Sequence, residues 1–306
     1  MRRTITALAV AVLVAAGAGI VTAVPAAAED MPAAVSWHGI KASPYVALGD
    51  SYSAAAGVHP QVPDAPATCS RSLKNFAHVI ARRTEVESFT EVTCSGAETS
   101  DFFSSQATGV APQLDAVTET TRLVTMTIGG NDGGAFGSIL NSCVIASAGS
   151  MDGNPCEQLY GSKFTNIVAD QTYPNLVEAL TAVRKRAPRA TVVILGYPRV
   201  MPDAGVPACY SSAMPISMGD VPYVTHWEET LNRAVEKAAA ETGALFVDMW
   251  PSSADRDACQ SVNQRWIEPL IKPVNADPVH PNSAGEAAMA RQTLHQLRLD
   301  ERDCDG

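Results

Sequence analysis

Five short β-like runs alternate with stretches of helical periodicity, and this alternation constrains the fold more than any other feature of the chain. The runs fall at residues 45–48, 89–94, 123–128, 191–195 and 245–247. Between and after them, apolar residues recur at helical spacing: Leu73, Phe76, Ala77 and Ile80; residues 176–183, ended by Pro188; Trp227, Leu231, Val235 and Ala239 up to Gly243; and Ala290, Leu294 and Leu297. Ser283, Ala284, Gly285 and Glu286 fit a capping box opening that last helix. Strands separated by helices call for a parallel sheet covered on both faces. No repeat or Pro/Gly/Ser linker divides the run, so one domain is expected over residues 44–306, behind a leader at 29–43. Long connections at 133–170, 199–222 and 249–276 follow the third, fourth and fifth runs, on the rim where parallel sheets bind ligands.

The N-terminus predicts export. Arg2 and Arg3 precede an uncharged, Ala-rich stretch, and Ala26, Ala27 and Ala28 fit a small-residue cleavage site, so residues 1–28 read as a signal peptide. Without those arginines, 20 Lys and Arg stand against 32 Asp and Glu, and the formal charge moves from −10 to −12. An acidic body neutralises few phosphates, which argues against nucleic acid and against docking on anionic lipid. No second apolar run approaches the roughly 20 residues of a membrane span, and 46% apolar residues supply a large core. A soluble extracellular monomer is expected. Seven cysteines, Cys69, Cys94, Cys143, Cys156, Cys209, Cys259 and Cys304, fit an oxidising compartment. Their spacing leaves many pairings open, with Cys304 left over near the end. No C-x-x-C or His at ligand spacing supports a metal, and Asp255 with Asp257 are too few carboxylates for calcium.

Four segments carry chemistry, each at or beyond the end of a β-run or just before the last helix. Gly49-Asp50-Ser51-Tyr52-Ser53 supplies a serine, and Thr93-Cys94-Ser95-Gly96-Ala97 a glycine. Gly129-Gly130-Asn131-Asp132 supplies an amide, and Asp277-Pro278-Val279-His280-Pro281 a histidine. A serine hydroxyl attacks only when a base takes its proton, and His titrates near working pH. The imidazole needs a partner at Nδ1, for which Asp277 is the expected residue, ahead of Asp248. An oxyanion needs donors: the Ser51 and Gly96 N–H groups and the Asn131 amide. Asp50 is expected to be structural, bonding the loop that follows it. His38, His59, His78, His226 and His295 have no companions in the sequence. A G-x-S-x-G elbow and an H-E-x-x-H motif are both missing from the chain.

Taken in order, Ser51, Gly96, Asn131 and His280 resemble the four blocks of the SGNH, or GDSL, hydrolases. The resemblance covers about residues 44–297. GDSY in place of GDSL, the TCSGA block and six internal cysteines are similar to the secreted actinobacterial lipase and esterase branch. That resemblance implies a flavodoxin-like three-layer α/β/α fold with a central five-stranded parallel sheet, and no cofactor or metal. It also implies three sequential disulfides, here Cys69–Cys94, Cys143–Cys156 and Cys209–Cys259. Some members replace the acid by a backbone carbonyl; with Asp277 present, a full triad of Ser51, His280 and Asp277 is expected.

The expected activity is carboxylic ester hydrolysis through an acyl-enzyme on Ser51. Met214, Pro215, Ile216, Ser217 and Met218, with Val221 and Tyr223 beyond, form an apolar segment in an expected rim loop. Met-rich surfaces adapt to varied apolar ligands, which suggests fatty-acyl or lipid esters, phospholipids included; packing of the same residues beneath the loop as a small satellite core is an equal reading. The alternatives are deacetylation of a polysaccharide or small ester, and an inactive secreted protein that binds lipid or glycan.

Overall fold

The computed structural model describes residues 43–149, 151–202 and 213–298. The chain divides into two units, Met1–Ala34 and Val35–Gly306, and every described residue belongs to the second. The strands are β1 (Pro44–Ala47), β2 (Ser88–Glu91), β3 (Leu123–Met126), β4 (Thr191–Leu195) and β5 (Leu245–Val247). The helices are α1 (Ser51–Ala54), α2 (Phe76–Thr84), α3 (Ala135–Ala146), α4 (Pro155–Tyr160), α5 (Lys163–Ile167), α6 (Tyr173–Arg186), α7 (Val221–Thr242) and α8 (Ser283–Gln296). All strands are parallel in the order β2-β1-β3-β4-β5, the flavodoxin order. The fold is the expected three-layer α/β/α arrangement.

The strands read as strands because they are buried on both faces. Leu123, Val124 and Met126 are fully enclosed, as are Val193, Ile194 and Leu195, the pattern of a sheet covered by helices. Right-handed crossovers put α2 on one face and α6 and α7 on the other. α8 packs against α2, and α6 against α7. Trp227, on the buried stripe of α7, and Phe76, the first residue of α2, are among the largest enclosed side chains.

The start of the last helix differs from expectation. α8 is capped by Asn282, whose side chain accepts from the N–H groups of Ala284 and Gly285 at 3.0 and 3.2 Å. Glu286 then lies too deep in the helix to close a capping box. It crosses to α2 and accepts the Phe76 N–H at 2.7 Å, satisfying a free donor at the start of another helix. Asn75 caps that same start through His78 N–H at 2.8 Å.

The expected rim segment is likewise mostly core. Met214, Ile216 and Val221 are buried, Tyr223 donates its hydroxyl to Gly161 O at 2.7 Å, and only Met218 is exposed. The backbone of this segment is tied to the α3–α4 connection by Ser217 N–H to Ser147 Oγ, 2.8 Å, and Met218 N–H to Met151 O, 3.2 Å. Burying its apolar side chains accompanies that docking, so the segment is packing rather than an acyl-binding surface.

Two disulfides follow the expected sequential pairing, Cys69–Cys94 and Cys143–Cys156. Cys259 is disulfide-bonded; Cys209 and Cys304 lie outside the described residues. The first bridge ties the segment after α1 to the segment after β2, and the second ties α3 to α4. Among the described residues no helix is long and apolar enough to cross a membrane, and no cluster of His, Cys, Asp or Glu is arranged to hold a metal.

Candidate active site

The strand order places the four blocks. β1 lies between β2 and β3, so the segment after β1 that carries Ser51 is flanked by the Gly96 segment on one side and the Asn131 segment on the other. The chain leaves β1 toward β2 and leaves β3 toward β4, which makes the β1/β3 boundary the topological switch point where such sheets bind ligands.

The serine block is locked by its own residues together with Gln113, Thr127 and Tyr197. At Gly49 (φ +122°) an added Cβ would meet Thr127 O and would lie 2.5 Å from Ser53 Oγ, so the turn into Ser51 accepts only glycine. Buried Gln113 grips the same residue, accepting Gly49 N–H at 2.7 Å and donating to Gly49 O at 3.0 Å. Ser53 accepts Thr127 N–H at 2.7 Å. Asp50 caps α1 through Tyr52 N–H at 3.0 Å, as the structural role expected of it requires. It also accepts from Thr127 Oγ1 at 2.7 Å and from the Tyr197 hydroxyl at 2.5 Å. Ser51 then opens α1 with 6% of its surface exposed, and the N–H groups of a first helical turn have no partner within the helix.

The two flanking blocks are joined to each other. Asn131 Nδ2 donates to Ala97 O at 3.0 Å, which uses one amide hydrogen and leaves the other. Asp132 accepts from the Thr99 N–H and hydroxyl at 2.9 and 2.8 Å, and burial raises its pKa against those bonds. The exposed Gly96 N–H has no backbone acceptor among the described residues. Gln106 Nε2 fixes the turn before it by donating to Ser95 O at 2.8 Å.

The histidine block is tied to the serine block directly. Tyr52 donates its hydroxyl to Val279 O at 2.6 Å, and Asp277 N–H donates to Ala56 O at 3.0 Å. A Cβ on Gly57 (φ +77°) would run into Asp277 N and Oδ1, so the two segments touch through glycine. The His280 ring stands 5.2 Å from the Tyr52 ring and 6.3 Å from the Phe136 ring. Beneath it, buried Glu268 receives Arg265 at 2.6 Å, Val274 N–H at 2.9 Å and Asn282 Nδ2 at 3.1 Å. Glu268 N–H donates to His280 O at 2.9 Å. Burial alone would raise the Glu268 pKa, but these partners bring it below the ordinary glutamate value.

The partner of His280 is not the expected one. Nδ1 lies 2.7 Å from Pro278 O. A carbonyl only accepts, so Nδ1 carries the proton and the neutral ring presents a bare Nε2. Asp277 acts on the ring only through space, raising its pKa. Burial among the surrounding rings is the larger influence and lowers the His280 pKa below its ordinary value, with the Pro278 bond opposing it. The reason is local geometry. Val279 adopts φ +57° and His280 N–H closes a turn onto Asp277 O at 3.2 Å, which brings the Pro278 carbonyl to Nδ1 while the Asp277 carboxylate faces Gly57. Asp248 is exposed and accepts Trp250 N–H at 2.9 Å.

Tyr52, Gln113, Tyr197 and Glu268 are site residues that the sequence reading missed. Only the position of Tyr52, next to Ser51, hinted at a role; the other three reach the site from distant segments.

A parallel sheet bearing a serine at its switch point, with a histidine in the segment just before the last helix and donors on both sides, is the frame of a carboxylic ester hydrolase. Residues 47–288 match the GDSL-like lipase/acylhydrolase family, and the chain belongs to it. It is 48% identical over 257 residues to Lipase 2 of Streptomyces coelicolor, covering 84% of this chain and 86% of that one. It is 31% identical to a lipase of Streptomyces rimosus over 83% and 87% of the two chains. Among solved structures, an extracellular lipase from Streptomyces rimosus superposes with a TM-score of 0.70 at 28% identity, covering 83% of this chain and all of the other. Phospholipase A1 from Streptomyces albidoflavus NA297 gives 0.69 at 28% identity, covering 83% and 99%.

Proposed function

We propose that the chain is a secreted lipase or esterase that cleaves fatty-acyl or lipid esters, phospholipids included, through an acyl-enzyme on Ser51. The observation that carries this is the His280 block, tied to the Ser51 block by the Tyr52 and Asp277 bonds, with the ring fixed as the Nδ1–H tautomer by Pro278 O. His280 Nε2 takes the Ser51 proton as Oγ attacks the carbonyl. The oxyanion receives the Ser51 and Gly96 N–H groups and the second Asn131 amide hydrogen; each such donor typically lowers the barrier by about 3–4 kcal/mol. His280 then protonates the leaving alcohol, and water repeats the sequence to release the acid. Because its pKa is lowered, His280 is a neutral base at neutral pH. No metal or organic cofactor enters these steps.

The lipid preference rests on the named lipases and the phospholipase A1 among the relatives. Export rests on the N-terminal pattern, on the disulfides and on the extracellular relative, with residues 1–28 as signal, 29–43 as leader and 44–306 as one hydrolase domain acting as a monomer. Turnover of p-nitrophenyl esters from acetate to palmitate, and of a phosphatidylcholine, tests the reading. It predicts preference for medium or long chains. A preference for acetate would move the substrate to polysaccharide or small-ester deacylation, and no turnover of any ester would favour a binding protein.

A further inference from the structure

Tyr197 lies outside all four blocks, yet its hydroxyl touches two of them. It stands two residues past β4, where Asn232 of α7 holds both its backbone groups: Tyr197 N–H to Asn232 Oδ1 at 2.6 Å and Asn232 Nδ2 to Tyr197 O at 3.0 Å. The buried hydroxyl accepts Gly130 N–H at 2.9 Å and donates to Asp50 Oδ2 at 2.5 Å. Gly130 immediately precedes Asn131, and Asp50 immediately precedes Ser51. The Tyr197 ring also packs edge-on against Tyr52 at 5.2 Å, and Tyr52 in turn faces His280.

We propose that Tyr197 is a positioning residue for ester hydrolysis, setting the Asn131 oxyanion donor in register with the Ser51 nucleophile through its single hydroxyl. The proposal rests on the assignment of Ser51 and Asn131 above. A phenol that donates to a carboxylate and accepts an amide fixes the separation of the two segments. The ladder between these segments ends where Asp50 N–H donates to Thr127 O at 3.0 Å, three residues short of Gly130, and the Tyr197 hydroxyl carries the tie on to Gly130 and Asn131. The bond to Asp50 is strongest while Asp50 is ionised. Burial pushes Asp50 up to about 6, with the Tyr197, Thr127, Tyr52 and Ser53 donors holding it from rising further. The titratable groups facing Asp50 are Tyr52 from α1, Tyr197 from beyond β4 and, through space, Glu286 from α8.

The test is Tyr197→Phe assayed on p-nitrophenyl butyrate from pH 5 to 9, with active enzyme counted by fluorophosphonate titration. A misplacement near 1 Å costs on the order of 10²-fold. The expected result is therefore a kcat per active site lowered about 10- to 100-fold, with KM within about twofold. The acid limb of the kcat profile moves to higher pH, because Asp50 has lost a donor to its charged form. If Tyr197→Phe does not fold, Asp50→Asn reads the same bond from its other end, with a similar fall in kcat and loss of the Asp50 component from the acid limb. A kcat per active site within about twofold of wild type, with an unmoved acid limb, would overturn the proposal; fewer active molecules with an unchanged profile would show Tyr197 to be structural only. Full activity in Ser51→Ala is a separate outcome that removes the underlying assignment.

Discussion

Asp277→Asn separates a carbonyl-held histidine from a carboxylate-held one. In a Ser-His-Asp triad the same exchange removes the Nδ1 acceptor, reverses the tautomer and lowers kcat about 10⁴-fold, equivalent to roughly 5.5 kcal/mol of barrier. Here the acceptor is Pro278 O at 2.7 Å, which the substitution leaves in place. The Asp277 backbone bond to Ala56 O, 3.0 Å, and its packing on Gly57 also remain. What disappears is a half-exposed negative charge acting through space. Such an interaction is worth about 1 kcal/mol or less, so kcat falls less than about tenfold. The sign on the pH profile follows from the same charge: Asp277 raises the His280 pKa, so its loss moves the acid limb slightly downward. Steady-state hydrolysis of p-nitrophenyl butyrate between pH 5 and 9 measures both. A loss near 10⁴-fold at every pH would refute the reasoning and make Asp277 the true partner of Nδ1.

Three further outcomes follow from the packing. Gly49→Ala forces a Cβ onto Thr127 O and Ser53 Oγ at φ +122°; overpacking and strain together predict a loss of roughly 3 kcal/mol or more in urea denaturation, and a fully stable variant would contradict the turn. Replacing Cys143 and Cys156 by serine opens a loop of 13 residues' separation and is expected to cost about 3 kcal/mol of stability, measured in the same way. Glu268 has its pKa lowered in the folded protein, so its stabilising contribution is complete above the unfolded value and is lost as pH falls through the folded one. Glu268→Gln therefore destabilises at neutral pH, and its difference from wild type narrows as pH drops through the glutamate range; a constant difference would contradict the linkage.

The sheet was legible because its signals are local. Apolar runs bounded by glycine give strands, and the parallel order follows from the alternation of strands with helices. The serine, glycine and asparagine blocks were legible because each follows a strand end, so sequence position fixes its place on the rim; the histidine block was legible because it directly precedes the last helix. What escaped is non-local or depends on backbone angles. Glu286 has the right spacing for a capping box, but the donor it serves belongs to α2, 210 residues away in sequence. Tyr197 and Gln113 reach the nucleophile block from 147 and 64 residues away, and nothing adjacent to either marks it. Asp277 was assigned from proximity to His280, whereas the outcome turned on Val279 adopting a left-handed conformation. Met214 and Ile216 read equally well as a ligand surface or as a satellite core; the backbone bonds of Ser217 and Met218 to residues 147 and 151 decide for the core.

The central claim is that Ser51 is the nucleophile. Incubation with a fluorophosphonate followed by peptide mass analysis tests it most directly, with Ser51→Ala treated in parallel. The account predicts one covalent adduct per chain, located on the peptide carrying Gly49-Asp50-Ser51, with loss of esterase activity in proportion to labelling and no adduct on Ser51→Ala. An adduct on another serine, or Ser51→Ala that still turns over ester at the wild-type rate, would contradict it.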